Sequence, residues 1–194
     1  MPIFSGFEGE EFQFDGIPNK FFNLLTDENI QVNAHFNSHK RIDEIGIKIG
    51  NSKIKWSAQD GKPEINGQKL HHRSYITVDN QAYHSFVEIK PLISATENGN
   101  TPVNSLLINA VKYCFNIVRN KNCSVMLPYF FKFDAIIYNG NVRPHGIVGQ
   151  TADFNGAPRI SNGNQGQGII EGNQLDYVVN DIWSNNFRYN KFKD

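Results

Sequence analysis

Six histidines, two adjacent carboxylate pairs and a set of separated tryptophans and tyrosines are the residues of this chain with chemistry to offer. His71-His72 with His84, and His35 with His39, have the donor atoms of a metal site. Neighbouring residues on a strand point to opposite faces, however, so His71 and His72 do not share one ion. Surface turn histidines are the expected reading. His145 follows Arg143-Pro144 and heads a Gly-Ile-Val-Gly-Gln-Thr run; as a general base it would need a nucleophile and an orienting carboxylate from Ser5, Thr151 or Asp153. Glu10-Glu11 and Asp27-Glu28 are carboxylate pairs of the kind that cleave glycosidic bonds, but each pair is adjacent in sequence and reads as a solvated acidic turn. Trp56, Tyr138 and Trp183, with Tyr75 and Tyr83, are candidates for a sugar-stacking platform, the alternative being cross-strand and core packing. The sequence contains no Gly-x-Ser-x-Gly elbow, no Walker phosphate loop and no dinucleotide glycine fingerprint.

These residues need elements to position them, and the sequence calls for strands. Glycine (16), phenylalanine (15) and tyrosine (7), with frequent asparagine, favour sheets joined by tight turns. The opening, Pro2-Ile-Phe-Ser-Gly-Phe-Glu-Gly-Glu-Glu-Phe-Gln-Phe-Asp-Gly16, holds two aromatic alternations, each closed by glycine. Phe21-Phe-Asn-Leu-Leu25 and Ile30-Gln-Val-Asn-Ala-His-Phe36 follow around the acidic turn. Glu44-Ile-Gly-Ile-Lys-Ile49 and Lys53-Ile-Lys-Trp-Ser57 flank Gly50-Asn-Ser52 as a hairpin, and Asn66-Gly67 marks another reversal. Strand-like runs continue through Tyr129-Phe-Phe-Lys-Phe-Asp-Ala-Ile-Ile-Tyr138, the longest apolar one. Helical turns are expected only near residues 19–23 or 179–187. Strands at intervals of roughly 8 to 12 residues imply an all-β chain, an antiparallel two-sheet β-sandwich with polar residues alternating outward. Asn162-Gly-Asn-Gln-Gly-Gln-Gly168 is a flexible, polar loop, after which the aromatic C-terminal segment docks back on the domain.

At 194 residues the chain suffices for one β core, and its Lys+Arg and Asp+Glu counts are both 19. No global charge therefore draws it to nucleic acid or an anionic membrane. No window approaches the roughly 20 apolar residues of a membrane span. The N-terminus lacks a signal-peptide pattern, so the expectation is a cytoplasmic chain or a processed form. Cys114 and Cys123 flank Asn120-Lys-Asn122, read as a hairpin turn. They are either free thiols or a cross-strand disulfide, which requires Cα atoms within about 7 Å. Asn122-Cys-Ser124 is formally a glycosylation acceptor.

The opening glycine–aromatic run and His145-Gly-Ile-Val-Gly-Gln-Thr151, followed by Ala152-Asp-Phe-Asn-Gly156, together resemble von Willebrand factor type D domains. The closest likeness is to their cysteine-poor root-cap and late-embryogenesis-like branch. Leu25-Thr-Asp-Glu-Asn-Ile-Gln-Val-Asn-Ala-His-Phe36 also has counterparts there, so the resemblance covers residues 1–156, with residues 157–194 as a loop and a segment packing on the same domain. The resemblance implies a non-enzymatic, extracellular module that binds or self-associates, with copies of itself, extracellular matrix or polysaccharide as partners. A lectin-like protein or a hydrolase on the same sandwich is the alternative. It makes His145 a turn residue. It also implies a calcium ion between the opening and the loop, carried here to Gln150, Asp153 and Asn155. Met1 stands where the family has its aspartate, and a thioether offers calcium no hard oxygen.

Overall fold

The computed structural model describes residues 2–7, 9, 11–60, 62–69, 75–80, 83–92, 103–110, 112–121, 129–138, 143–152, 172–188, 190 and 192; of 75–80, 83–92 and 103–104 the backbone course alone is described. The strands are β1 (Ile3–Ser5), β2 (Glu11–Gln13), β3 (Lys20–Thr26), β4 (Ile30–Phe36), β5 (Ile42–Ile49), β6 (Ser52–Ser57) and β7 (Glu64–Ile65). They continue as β8 (Gln68–Lys69), β9 (Tyr75–Asn80), β10 (Tyr83–Leu92), β11 (Val103–Ala110), β12 (Tyr113–Lys121), β13 (Tyr129–Ile137) and β14 (Val178–Val179). Helical structure among the described residues is confined to two 3-10 turns, Gly149–Ala152 and Gln174–Tyr177. The chain is all-β and antiparallel, as its period-two patterning predicts.

The pairings resolve into two ladders. One runs β14-β3-β4-β5 and continues from β5 through β6 and β7 to β8; the other runs β13-β12-β11-β10-β9. They are joined where Ile42 of β5 pairs with Phe131 of β13. The sandwich is thus one strongly curled sheet turned at a corner. The β1–β2 hairpin forms its own two-stranded sheet and packs beside β13. Phe14, Phe22 and Phe36 meet edge-to-face with centroids 5.1 to 5.7 Å apart, and Trp56 packs on Phe131 at 4.6 Å. Such tilted contacts add about 0.5–1.5 kcal/mol each beyond their buried area.

Turn chemistry follows the sequence at two hairpins. Gly50 has φ 54°, and Asn66 and Gly67 have φ 49° and 80°, the left-handed values of a two-residue reversal matched to strand twist. It fails at Asn120-Lys-Asn122. Asn120 and Lys121 stay in β12, opposite Phe130 and Tyr129, because the aromatic β13 supplies partners that extend the ladder past the asparagine. The disulfide falls with that turn. Cys114 pairs with Ile136 at the far end of β12 from Lys121, about 23 Å along the strand. Cys123 lies outside the described residues, but two more residues span at most about 7 Å. Cys114 is a buried free thiol. No helical turn forms at 19–23, where β3 begins, and after β14 the stretch to residue 187 holds an isolated turn, Ser184 N–H donating to Asp181 O at 3.3 Å, and no helix.

The C-terminal segment docks on the domain, and it changes the meaning of the polar positions on β4. Gln31 and Asn33 alternate with the core residues Val32 and Ala34, as outward residues should, yet Asn33 is 0% exposed. The segment after β14 lies over them. Asn33 Nδ2 donates to Ile182 O at 3.1 Å and Ser184 O at 2.8 Å, and Gln31 Nε2 donates to Ser184 O at 2.9 Å. Asn33 Oδ1 in turn accepts from Asn23 Nδ2 at 2.8 Å, which also reaches Thr26 Oγ1 at 2.7 Å. Gly46, opposite Asn33 on β5, makes room: a Cβ there would stand 2.4 Å from Ile182 Cγ1 and 3.0 Å from Ile182 O. Asn33→Leu keeps the branched outline of the side chain, at a larger volume, but strips these carbonyls and Asn23 of a partner. The expected loss is about 2–4 kcal/mol of unfolding free energy in urea, with earlier proteolysis after residue 172. An unchanged midpoint would show that packing alone holds the segment.

Candidate functional site

The molecule opens at the corner where its two ladders meet. The β1–β2 hairpin, the start of β5 and the outer ends of β12 and β13 bound a cleft of about 430 Å³. That is within the roughly 300–1,000 Å³ of small-molecule sites. Pairing register decides what lines it. Asn120 pairs with Phe130, and Lys132, two residues on, shares their face of the sheet, so an amide, a ring and an ammonium stand together. Pro2, Ile3 and Phe4 form an apolar wall, and Glu11 sits on the same hairpin.

Arg41 is the centre of the site, and its placement is built by the β4–β5 turn. Buried Asn37 accepts through Oδ1 from the backbone N–H groups of His39 (2.9 Å) and Arg41 (3.1 Å). Its own N–H donates to Arg41 O at 2.9 Å, and Lys40 takes a left-handed φ of 56° while its ammonium pairs with Asp15 at 2.9 Å. The turn delivers the Arg41 guanidinium over the Phe130 ring, 4.7 Å from the centroid. Its Nη1 is buried and has no hydrogen-bond partner. Arg119, on β12, shows the contrary case. Its Nε donates to Ala58 O, its guanidinium lies 3.7 Å from the Tyr129 centroid, and burial lowers its pKa from the ordinary arginine value. Arg119 is a packing cation, whereas Arg41 keeps a donor in reserve. Lys132 has only a loose pair with Asp134 at 3.8 Å, which competes weakly for it.

Arginine, lysine and asparagine donors beside an aromatic ring recognise an oxyanion on an apolar body; a guanidinium does not exchange protons in the physiological range. The site escaped sequence reading because its residues come from four segments joined only by register. The one local signal was Asn37, whose amide caps the turn that aims Arg41.

The residues expected from sequence to bind are dispersed. Trp56 is 1% exposed and packs on Phe131, so its ring is core and offers no face to a sugar. Trp183 is half-buried against Gly46 on the other side of the same ladder, with Lys53 Nζ 5.3 Å above its ring. Strand alternation separates the two, since Trp56 pairs with Ile45 and Gly46 is the next residue. Tyr138 is 60% exposed beyond β13 and donates to Asn109 Oδ1 at 2.9 Å. The three form no common platform.

The two motif-bearing segments, by contrast, do meet. Phe7 N–H donates to Thr151 Oγ1 at 3.0 Å across 144 residues, and that hydroxyl donates to Val148 O at 2.7 Å. The His145–Val148 stretch seals the outer edge of β3: His145 and Thr26 exchange both backbone bonds, Ile147 N–H reaches Asn23 O and Val148 N–H reaches Leu24 O. His145 is buried, stacked with Tyr177 and Phe187 at 5.9 and 6.3 Å. The surrounding aromatic stack gives it the packing role of a turn residue. Of the calcium candidates, Asp153 and Asn155 lie outside the described residues. Gln150 donates through Nε2 to Gly146 O at 2.8 Å and Tyr177 Oη at 3.1 Å. His71 and His72 are also outside the described residues, and His35 pairs with Asp43. No known family model matches the chain, and no curated protein matches it.

Two measurements follow from these surroundings. Gly146 has φ 97°, and a Cβ there would stand 2.4 Å from Asn23 Oδ1 and 2.7 Å from Leu24 O. Gly146→Ala should lower stability by about 2–4 kcal/mol, combining a strained φ with backbone overpacking; a thermal midpoint equal to wild type would refute that seat. His35 has its pKa raised above 6.5, chiefly by its hydrogen bond to Asp43 at 2.7 Å, against an opposing effect of burial. A raised folded pKa contributes stability fully present below the unfolded value and lost as pH rises through the folded one. Asp43→Asn should therefore cost most below about pH 6.5 and progressively less as pH rises through the raised folded pKa of His35. Parallel urea-midpoint profiles for the two proteins would contradict this linkage.

Proposed function

We propose that this chain is a non-enzymatic binding module on a D-type-like β-sandwich, and that its ligand site is the junction cleft. The meeting of Phe7 with Thr151 supports the frame, since it joins the two segments in which the family likeness resides. The observation that carries the site is Arg41: a guanidinium lining a cleft, held by a capped turn and an aromatic ring. The C-terminal segment gives less support to assembly through a free tail, because its polar backbone and Ile182 are already engaged on β4 and β5 of the same chain.

The test uses 8-anilinonaphthalene-1-sulfonate, an anion on an aromatic body whose fluorescence rises in apolar sites. Saturable binding at a single site is expected, weakened about 10-fold or more by Arg41→Gln and unaltered by Tyr138→Ala. Binding that is absent, or indifferent to Arg41→Gln, would overturn the cleft as the ligand site.

A further inference from the structure

We infer that the ligand of this cleft is an amphipathic monocarboxylate, a small organic acid with an alkyl or aryl body. The inference rests on the binding-module reading and adds the ligand's charge, headgroup and shape.

Charge comes first. The described lining holds two cations, Arg41 and Lys132, and one carboxylate, Glu11, while Asp134 pairs loosely with Lys132 at 3.8 Å, so the positive excess around the cleft is one charge at most. That favours a monoanion; a phosphate monoester, carrying a charge of about −1.5 to −2 at neutral pH, would overcompensate and meet Glu11 as a like charge. Headgroup geometry comes second. The Arg41 guanidinium is planar, lies over Phe130 and lines the cleft, a fork that suits a planar carboxylate, to which Asn120 and Lys132 bring further donors from one sheet face. Shape comes third. On the same cleft the hairpin places Pro2 and Ile3, an aliphatic wall with Ile3 46% exposed. Such a wall gives polar ligands nothing but stabilises a hydrocarbon body by about 0.8 kcal/mol for each CH2 it covers. A cleft of about 430 Å³ admits a molecule of this size.

Calorimetric titration with octanoate, octan-1-ol, acetate and octyl phosphate separates the three claims. Octanoate should bind at one site per chain, with octan-1-ol and acetate each about 10-fold or more weaker, because each lacks one half of the recognition. Octyl phosphate should bind more weakly than octanoate. Arg41→Gln should bring octanoate down to the level of octan-1-ol. Lys132→Gln, a change at an exposed side chain, should weaken octanoate about 2- to 5-fold and leave octan-1-ol unchanged. Octan-1-ol equal to octanoate, or octyl phosphate tighter than octanoate, would overturn the monocarboxylate inference. If the naphthalene sulfonate binds in an Arg41-dependent way and octanoate neither binds nor displaces it, the binding module stands and the monocarboxylate falls. If neither probe binds, both fall.

Discussion

One backbone pairing, Ile42 with Phe131, decides the form of this molecule. Had β5 and β13 zipped along their lengths, as β12 and β13 do over nine pairs, the corner would be an ordinary stretch of sheet with no room beside it. Because they meet at one point, the sheet turns there. Side chains from both ladders and from the separate β1–β2 hairpin face a common space. Trp56 and Phe131 fill the corner from the core side and Phe130 faces the cleft, so adjacent residues of one strand point to opposite faces of the sheet.

The two arginines near that corner show how similar chemistry acquires different roles. Both lie over aromatic rings, Arg119 over Tyr129 and Arg41 over Phe130. Arg119 is also tied to the Ala58 carbonyl, which fixes a buried cation between layers and satisfies it. Arg41 has its turn satisfied instead: Asn37 occupies the backbone groups around it, and the guanidinium retains its donor. An unsatisfied charged donor is rare in native structures because it weakens the fold.

Legibility in the sequence followed the range of the interactions. The all-β character, the Gly50 and Asn66-Gly67 hairpins and the docking of the aromatic tail were readable, because period-two patterning and left-handed turn residues act locally. Residues 120–122 were misread as a turn since cross-strand partners from Tyr129 and Phe130 outweighed the local asparagine signal. Trp56 looked like a platform because composition does not reveal which face of a strand is inside. Asn33 looked like a solvated position for the same reason, until a segment from the other end of the chain covered it. Arg41 carried no motif at all; its meaning comes from Phe130 and the cleft, fixed only once register is fixed.

The amide chain from Asn23 through Asn33 to Ser184 also orders events in time. Asn33 and Ser184 O are separated by 151 residues, a closure of the longest kind available to this chain. At about 5–20 residues per second of synthesis, β4 waits roughly 8–30 s after its own emergence for the segment that covers it. Through that interval the outer face of β3 and β4 shows water a row of asparagine and glutamine, which bind water readily and recruit no apolar partner. The same row of leucines would have given a nascent chain a sticky face. Polar residues that are buried in the end thus guard the chain while it is still being made.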